Sequence, residues 1–284
     1  PVAAIRNPYS NIILVRNSNG QKGFAYNATF TIDKQSKKGL NFSASYSYGG
    51  SQVRNEGTSS INTSNWSNME AASSRNYIGL SNSDFDLGHR IFGLISKRFS
   101  YLNDKLATTI ALTYNGQSGS RYSYTMSNRA FIGDGVTNND LMYIPASRAE
   151  MDQMIFISRL PSGSSAAANA ADIALQKDQF EAFILADKYL RKNRGQVSAR
   201  NGARAPFTHV IDLSLMQEFS VKVGKVRHSL SVRLDMFNFT NFIDKNAGRQ
   251  YFFNFDQAQV LSLEGFSGTN PTYKFTPPAN NKVG

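Results

Sequence analysis

Between residues 24 and 48 the side chains alternate in character almost without exception. Phe24, Tyr26, Ala28, Phe30 and Ile32 are interleaved with Ala25, Asn27, Thr29, Thr31 and Asp33. After Lys34-Gln35-Ser36-Lys37-Lys38-Gly39 the pattern restarts, with Leu40, Phe42, Ala44, Tyr46 and Tyr48 set against Asn41, Ser43, Ser45 and Ser47. A strand points successive side chains to opposite faces, so this pattern predicts two strands with one apolar and one polar face each. The short glycine-containing link predicts an antiparallel hairpin. Such a hairpin fits the core of a soluble sheet or the wall of a membrane barrel, and the rest of the chain decides between them.

Alternation returns at Leu106 to Asn115, at His209 to Phe219 and at Ser229 to Met236, with a less regular strand at His89 to Phe99. Further strands are predicted at Asn11 to Arg16 and Tyr251 to Phe255, and Arg121 to Met126 reads as an extension of the strand before it. The connections sort by length. Short turns fall at Lys34 to Gly39, Tyr101 to Lys105 and Lys222 to Lys225. Long segments fall at Gly49 to Leu87, Ser127 to Pro206 and after Asn238. All the short turns therefore lie at one end of the sheet, as in outer-membrane barrels with tight periplasmic turns and long outer loops. A soluble sandwich has no reason to sort its loops this way, although it remains the alternative.

The strands are about 10 residues long, enough to cross a bilayer when tilted. Arg233 lies on the polar face, and an arginine facing mid-bilayer lipid costs about 2–4 kcal/mol, so the polar face must line the lumen. Ala166 to Arg194 is rich in helix formers and places Ile173, Phe180, Phe183 and Ile184 near one face. A shorter helix is expected around Ala149 to Ile157.

No run of about 20 apolar residues exists to form a membrane helix. The absence of cysteine excludes disulfides and zinc–thiolate sites. The net charge of +11 invites a nucleic-acid reading, but the basic residues are scattered through turns rather than clustered among aromatics, so no nucleic-acid partner is expected. Pro1-Val2-Ala3-Ala4 does not read as a signal peptide.

Four stretches together resemble a known family. They are Gly39 to Tyr48, Gly133-Asp134-Gly135 with Asn139 to Pro145, Pro206 to Leu215, and Asp235-Met236-Phe237-Asn238-Phe239-Thr240-Asn241-Phe242. In order and spacing they are similar to the C-terminal barrel portion of a TonB-dependent outer-membrane receptor of the Bacteroidetes type, Oar-like or SusC-like. The resemblance implies an all-β fold: an antiparallel transmembrane β-barrel segment of seven or eight strands, part of a barrel of about 22. Residues 127–206 would be a large extracellular loop containing a helix. The implied function is active transport across the bacterial outer membrane, with no enzymatic activity. The implied partners are outer-membrane lipid and lipopolysaccharide, the TonB energy-coupling system acting through a plug not found in this sequence, and a surface lipoprotein. Such a chain would be a fragment of a larger protein; a complete eight-stranded barrel with an adhesin-like or structural role is the competing reading.

No catalytic constellation stands out, since His89, His209 and His228 lack a nucleophile or metal-ligand spacing. Trp66, Tyr122, Tyr124 and Tyr143 are candidate ligand contacts on the long loops; packing within those loops is their other use. Asp134, Asn138 and Asp140 surround Gly135 in an oxygen-rich loop that could hold a structural Ca²⁺, or whose side chains could instead form Asx turns.

Overall fold

Six long strands form one antiparallel sheet, numbered here in chain order with the shorter strands between them. They are β1 (Phe24–Gln35), β2 (Leu40–Val53), β4 (Gly88–Tyr101), β5 (Leu106–Gln117), β11 (Thr208–Val223) and β12 (Val226–Met236). Their spatial order is β1-β2-β4-β5-β11-β12, with the two-residue β3 (Ser81–Asn82) pairing at the end of β2. The computed structural model describes residues 20 and 22–277. The strand predicted at Asn11 to Arg16 lies outside them.

The turns follow from local chemistry. Gly39 adopts φ +78, and a Cβ there would sit 2.7 Å from the Arg98 carbonyl oxygen, so both the backbone and the neighbouring strand require glycine. Leu102, Asn103 and Asp104 all take positive φ in the second turn, and the third is the two-residue Gly224-Lys225 between paired Val223 and Val226.

The hairpins are staggered. One cross-strand row runs through Lys34, Phe42, Ile95, Leu112, Leu213 and Met236. Lys34 is beside the last residue of β1, at the short-turn end, whereas Met236 is the last residue of β12, at the opposite end. Each successive hairpin is thus displaced along the strand axis, the shear that tilts strands in barrels.

One face of this sheet carries large apolar side chains that stand exposed among the described residues. Phe30 is 65% exposed, Leu230 64%, Val232 58% and Ile95 46%. The opposite face carries Thr29, Ser47, Thr109 and Arg233.

The core lies elsewhere, in the long connections. A second sheet has the order β10-β6-β13-β14-β8: Ala203–Arg204, Arg121–Ser127, Gln257–Ser267, Asn270–Phe275 and Ile155–Phe156. The pair β7 (Tyr143–Ile144) and β9 (Gln196–Val197) stands beside it. The helix Ala166–Ala186 starts at Ser165, whose hydroxyl accepts from the Ala168 N–H at 3.2 Å. It buries Phe180 and Ile184 completely, with the Phe180 ring tilted against Phe275 and the ring centres 5.0 Å apart. Ile173 and Phe183 pack against the same cluster, which also takes in Met142, Ile144 and Leu263.

The described chain is therefore mostly β, 45% strand and 18% helix, in open sheets with none closed into a barrel. This corrects the all-β expectation: the connections read as loops are a mixed α/β unit, here called the cap. Arg121 to Met126 does not extend β5. The chain turns away at Gly119, where a Cβ would meet the Ala205 and Pro206 carbonyl oxygens at 2.6 Å, and β6 joins the cap sheet. Tyr251 to Phe255 is not a strand; Asn254–Asp256 is a short 3-10 turn in which Phe255 takes φ +52. The predicted helix ending at Arg194 breaks at Asp187, whose carboxylate accepts from the Leu190 N–H at 2.7 Å and starts a second short helix, Lys188–Lys192. Around Ala149 to Ile157 the helix spans Arg148–Gln153 and gives way to β8.

Candidate functional site

All three long connections emerge from the same end of the main sheet, and they meet around one cleft. Its volume is about 480 Å³. Residues 55–59, 64–65 and 68–70 supply one wall, Val136, Asn138 and Asn139 a second, and Phe255, Asp256 and Gln257 a third. Glu56, Glu70, Asp84 and Asp256 all face it, among asparagine and serine side chains.

These carboxylates are held in place. Glu56 accepts from the Asp84 N–H at 2.8 Å and the Ser83 hydroxyl at 3.1 Å. Gln257 donates to Glu70 at 3.2 Å. Burial pushes the Glu70 carboxyl above its usual range, only partly offset by hydrogen bonds and by Arg200. Asp256 is raised by burial and by the neighbouring Asp84 charge. Arg200 is 4% exposed, donates to the Val53 carbonyl at 2.6 Å, and sits in the field of Glu70, Glu56 and Asp84. The cleft presents acceptors and an excess of negative charge, suited to a polar ligand rich in donors.

A charged joint fixes the cap to the sheet. Asp86, 8% exposed, accepts from Arg121 Nε at 2.6 Å and from Arg204, while its other oxygen accepts from the Ser51 N–H. Arg121 and Arg204 begin and end the long insertion and pair in register as β6 and β10, so the insertion leaves and returns at one point.

The aromatic residues singled out from the sequence are scattered. Tyr122 and Tyr124, 5% and 3% exposed, are core residues of the cap rather than surface contacts. Their rings meet edge to face at 5.3 Å, and the Tyr124 hydroxyl donates to Asp187 at 3.0 Å. Burial pushes the Tyr122 phenol up to about 12 and the Tyr124 phenol higher still. They alternate along a strand as expected, but that strand is sandwiched rather than at a rim. Tyr143 is half-buried and donates to Glu150 at 2.7 Å. Trp66 lies on the short helix Asn62–Ser67, with the Arg75 guanidinium 3.8 Å above its ring and its N–H donating to Asn76 at 3.0 Å.

The oxygen-rich loop is a clasp. Asp134 pairs with Arg75 at 2.7 Å, accepts from the Val136 N–H at 2.9 Å and from Asn139 at 3.1 Å. Asp140 accepts from the Phe131 and Ile132 N–H groups. Asn138 is exposed at the cleft. The carboxylate oxygens of Asp134 and Asp140 thus face N–H donors, Asp134 in an Asx turn and Asp140 across the loop. Among the described residues no group of three or more histidine, aspartate or glutamate side chains is placed to hold a metal ion. The cleft carboxylates were missed because they lie far apart in sequence, from Glu56 to Asp256, and no spacing motif marks them.

No protein-family model, curated protein or solved structure matches this chain.

Proposed function

We propose that the six-stranded sheet is part of the wall of an outer-membrane barrel, and the cap its extracellular ligand-facing side, in a transporter of the TonB-dependent class. The observation that carries this is the bare apolar face. A continuous face bearing Phe30, Phe42, Ile95, Leu112, Leu230 and Val232, exposed on a sheet one layer thick, is far beyond the scattered apolar residues of a soluble surface. Lipid is the solvent that makes it favourable, because the inner strands β2, β4, β5 and β11 are each paired to a neighbour strand on both sides. The stagger of the hairpins and the small side chains of the opposite face suit a wide barrel lumen. The sequence resemblance supports transport as the use of that barrel, and the cleft where the long connections meet is where a ligand would first dock.

The orientation is testable on intact cells. Added protease is expected to cut exposed cap segments such as Gly57-Thr58 and Pro161 to Gly163, and to spare Lys34 to Gly39. Cleavage confined to the short turns would reverse the orientation, and recovery of the protein in the detergent-free soluble fraction would contradict the membrane reading.

A further inference from the structure

The short-turn end of the sheet is strongly basic. Each of its three turns, residues 33–38, 97–105 and 218–228, carries three lysine or arginine side chains and one carboxylate. This end alone supplies more than half of the net charge of +11. Arg98 is neutralised by Glu218 at 2.8 Å, but no ion pair among the described residues involves Lys34, Lys37, Lys38, Lys97, Lys222 or Lys225.

Two of these lysines stand on the apolar face itself. Lys34 is the direct cross-strand partner of Phe42, and Lys97 lies between Leu40 and Ile110. Lys97 runs its stem past the Phe99 ring, with the ammonium 5.6 Å from the ring centre, and reaches the Lys38 carbonyl at 2.5 Å in the adjacent turn. An apolar stem along a hydrophobic wall with the charge carried to its edge is how lysine sits at a membrane interface. An ammonium at that level meets lipid phosphates, not aqueous solutes of the lumen.

We infer that Lys34 and Lys97, backed by Lys37 and Lys38, form a collar that binds the phosphate groups of anionic phospholipids in the leaflet at the short-turn end. The inference rests on the membrane reading above. It adds a lipid preference, which a neutral barrel rim would lack. A basic side chain near an anionic surface strengthens binding roughly fivefold. Reversing both charges should therefore weaken anionic-lipid binding by roughly tenfold or more.

The test uses the full protein purified in detergent, reconstituted into phosphatidylcholine vesicles with or without phosphatidylglycerol, and native mass spectrometry of the lipids it retains. Enrichment of phosphatidylglycerol is expected for the natural protein and for Lys34→Arg with Lys97→Arg. Loss of that enrichment is expected for Lys34→Glu with Lys97→Glu, which should still insert. Insertion without enrichment in the natural protein would overturn the collar and leave the membrane reading standing. Failure to enter either kind of vesicle would overturn both. Enrichment that survives the double charge reversal would also overturn the assignment to these lysines.

Discussion

Two carboxylates of the cap have different tasks. Glu70 is raised by burial, so the folded cap holds its proton more tightly than the unfolded chain does. Stability contributed by the protonated form is present at low pH and is lost as pH rises through the raised value. Glu70→Gln keeps the acceptor for Gln257 and removes the charge. The cap should then be more protected against hydrogen exchange at neutral pH than the natural protein, with the difference vanishing below the ordinary glutamate pKa of about 4.3. Equal protection at both pH values would contradict the burial argument. Asp86 is the ion-pair partner of two guanidinium groups at the joint. Asp86→Asn leaves the Arg121 and Arg204 guanidinium groups facing each other without their counter-ion. Removing one partner of a buried ionic network costs roughly 3 kcal/mol, and exchange of the β6 amides should accelerate accordingly. Neither residue is legible in the sequence, because the partners of each come from distant segments, 35 to 118 residues away for Asp86 and 187 for Glu70 with Gln257.

At the level of elements, the strands were legible and the cap was not. Alternation marks β1, β2, β5, β11 and β12 because each carries apolar side chains on one face and polar side chains on the other. That contrast is written locally, as are the glycine turns at Gly39 and Gly224. Within the cap, β7, β8, β9 and β10 run for two residues each, too short for period two to show, so the segment between Ser127 and Pro206 reads as a loop with a helix. The helix itself was visible through Phe180, Phe183 and Ile184; its break at Asp187 was not, since capping by a side chain competes closely with continuing the helix. Phe180 is the side chain that joins this helix to β14 and β8. Phe180→Ala should cost about 3–5 kcal/mol and expose the cap to limited proteolysis while leaving the main sheet's far-ultraviolet signature in place. Unchanged protease resistance would show that the cap does not depend on this core.

For the whole molecule, the governing fact is an inversion of the usual arrangement: the packed core sits in the connections, and the largest sheet is bare on its apolar face. Two edges of that sheet, on β1 and β12, have no partner strand among the described residues. Unpaired backbone groups cannot face lipid, so those edges must meet further strands if the membrane reading holds. The sorting of connections by length makes this end-to-end asymmetry readable in the sequence itself. The acidic cleft and the basic short-turn end are its electrostatic counterpart, and neither could be placed until the strands fixed which residues share an end. The most direct measurement is a nitroxide scan of residues 28–33 in β1, in the full protein reconstituted in lipid. Collision rates with oxygen, which concentrates in the bilayer, should peak at Ala28, Phe30 and Ile32 and fall at Thr29, Thr31 and Asp33, while a polar nickel complex shows no access to the first set. Access of the nickel complex at Phe30 and Ile32, or exclusion of both reagents there by a protein layer, would contradict a lipid-facing wall.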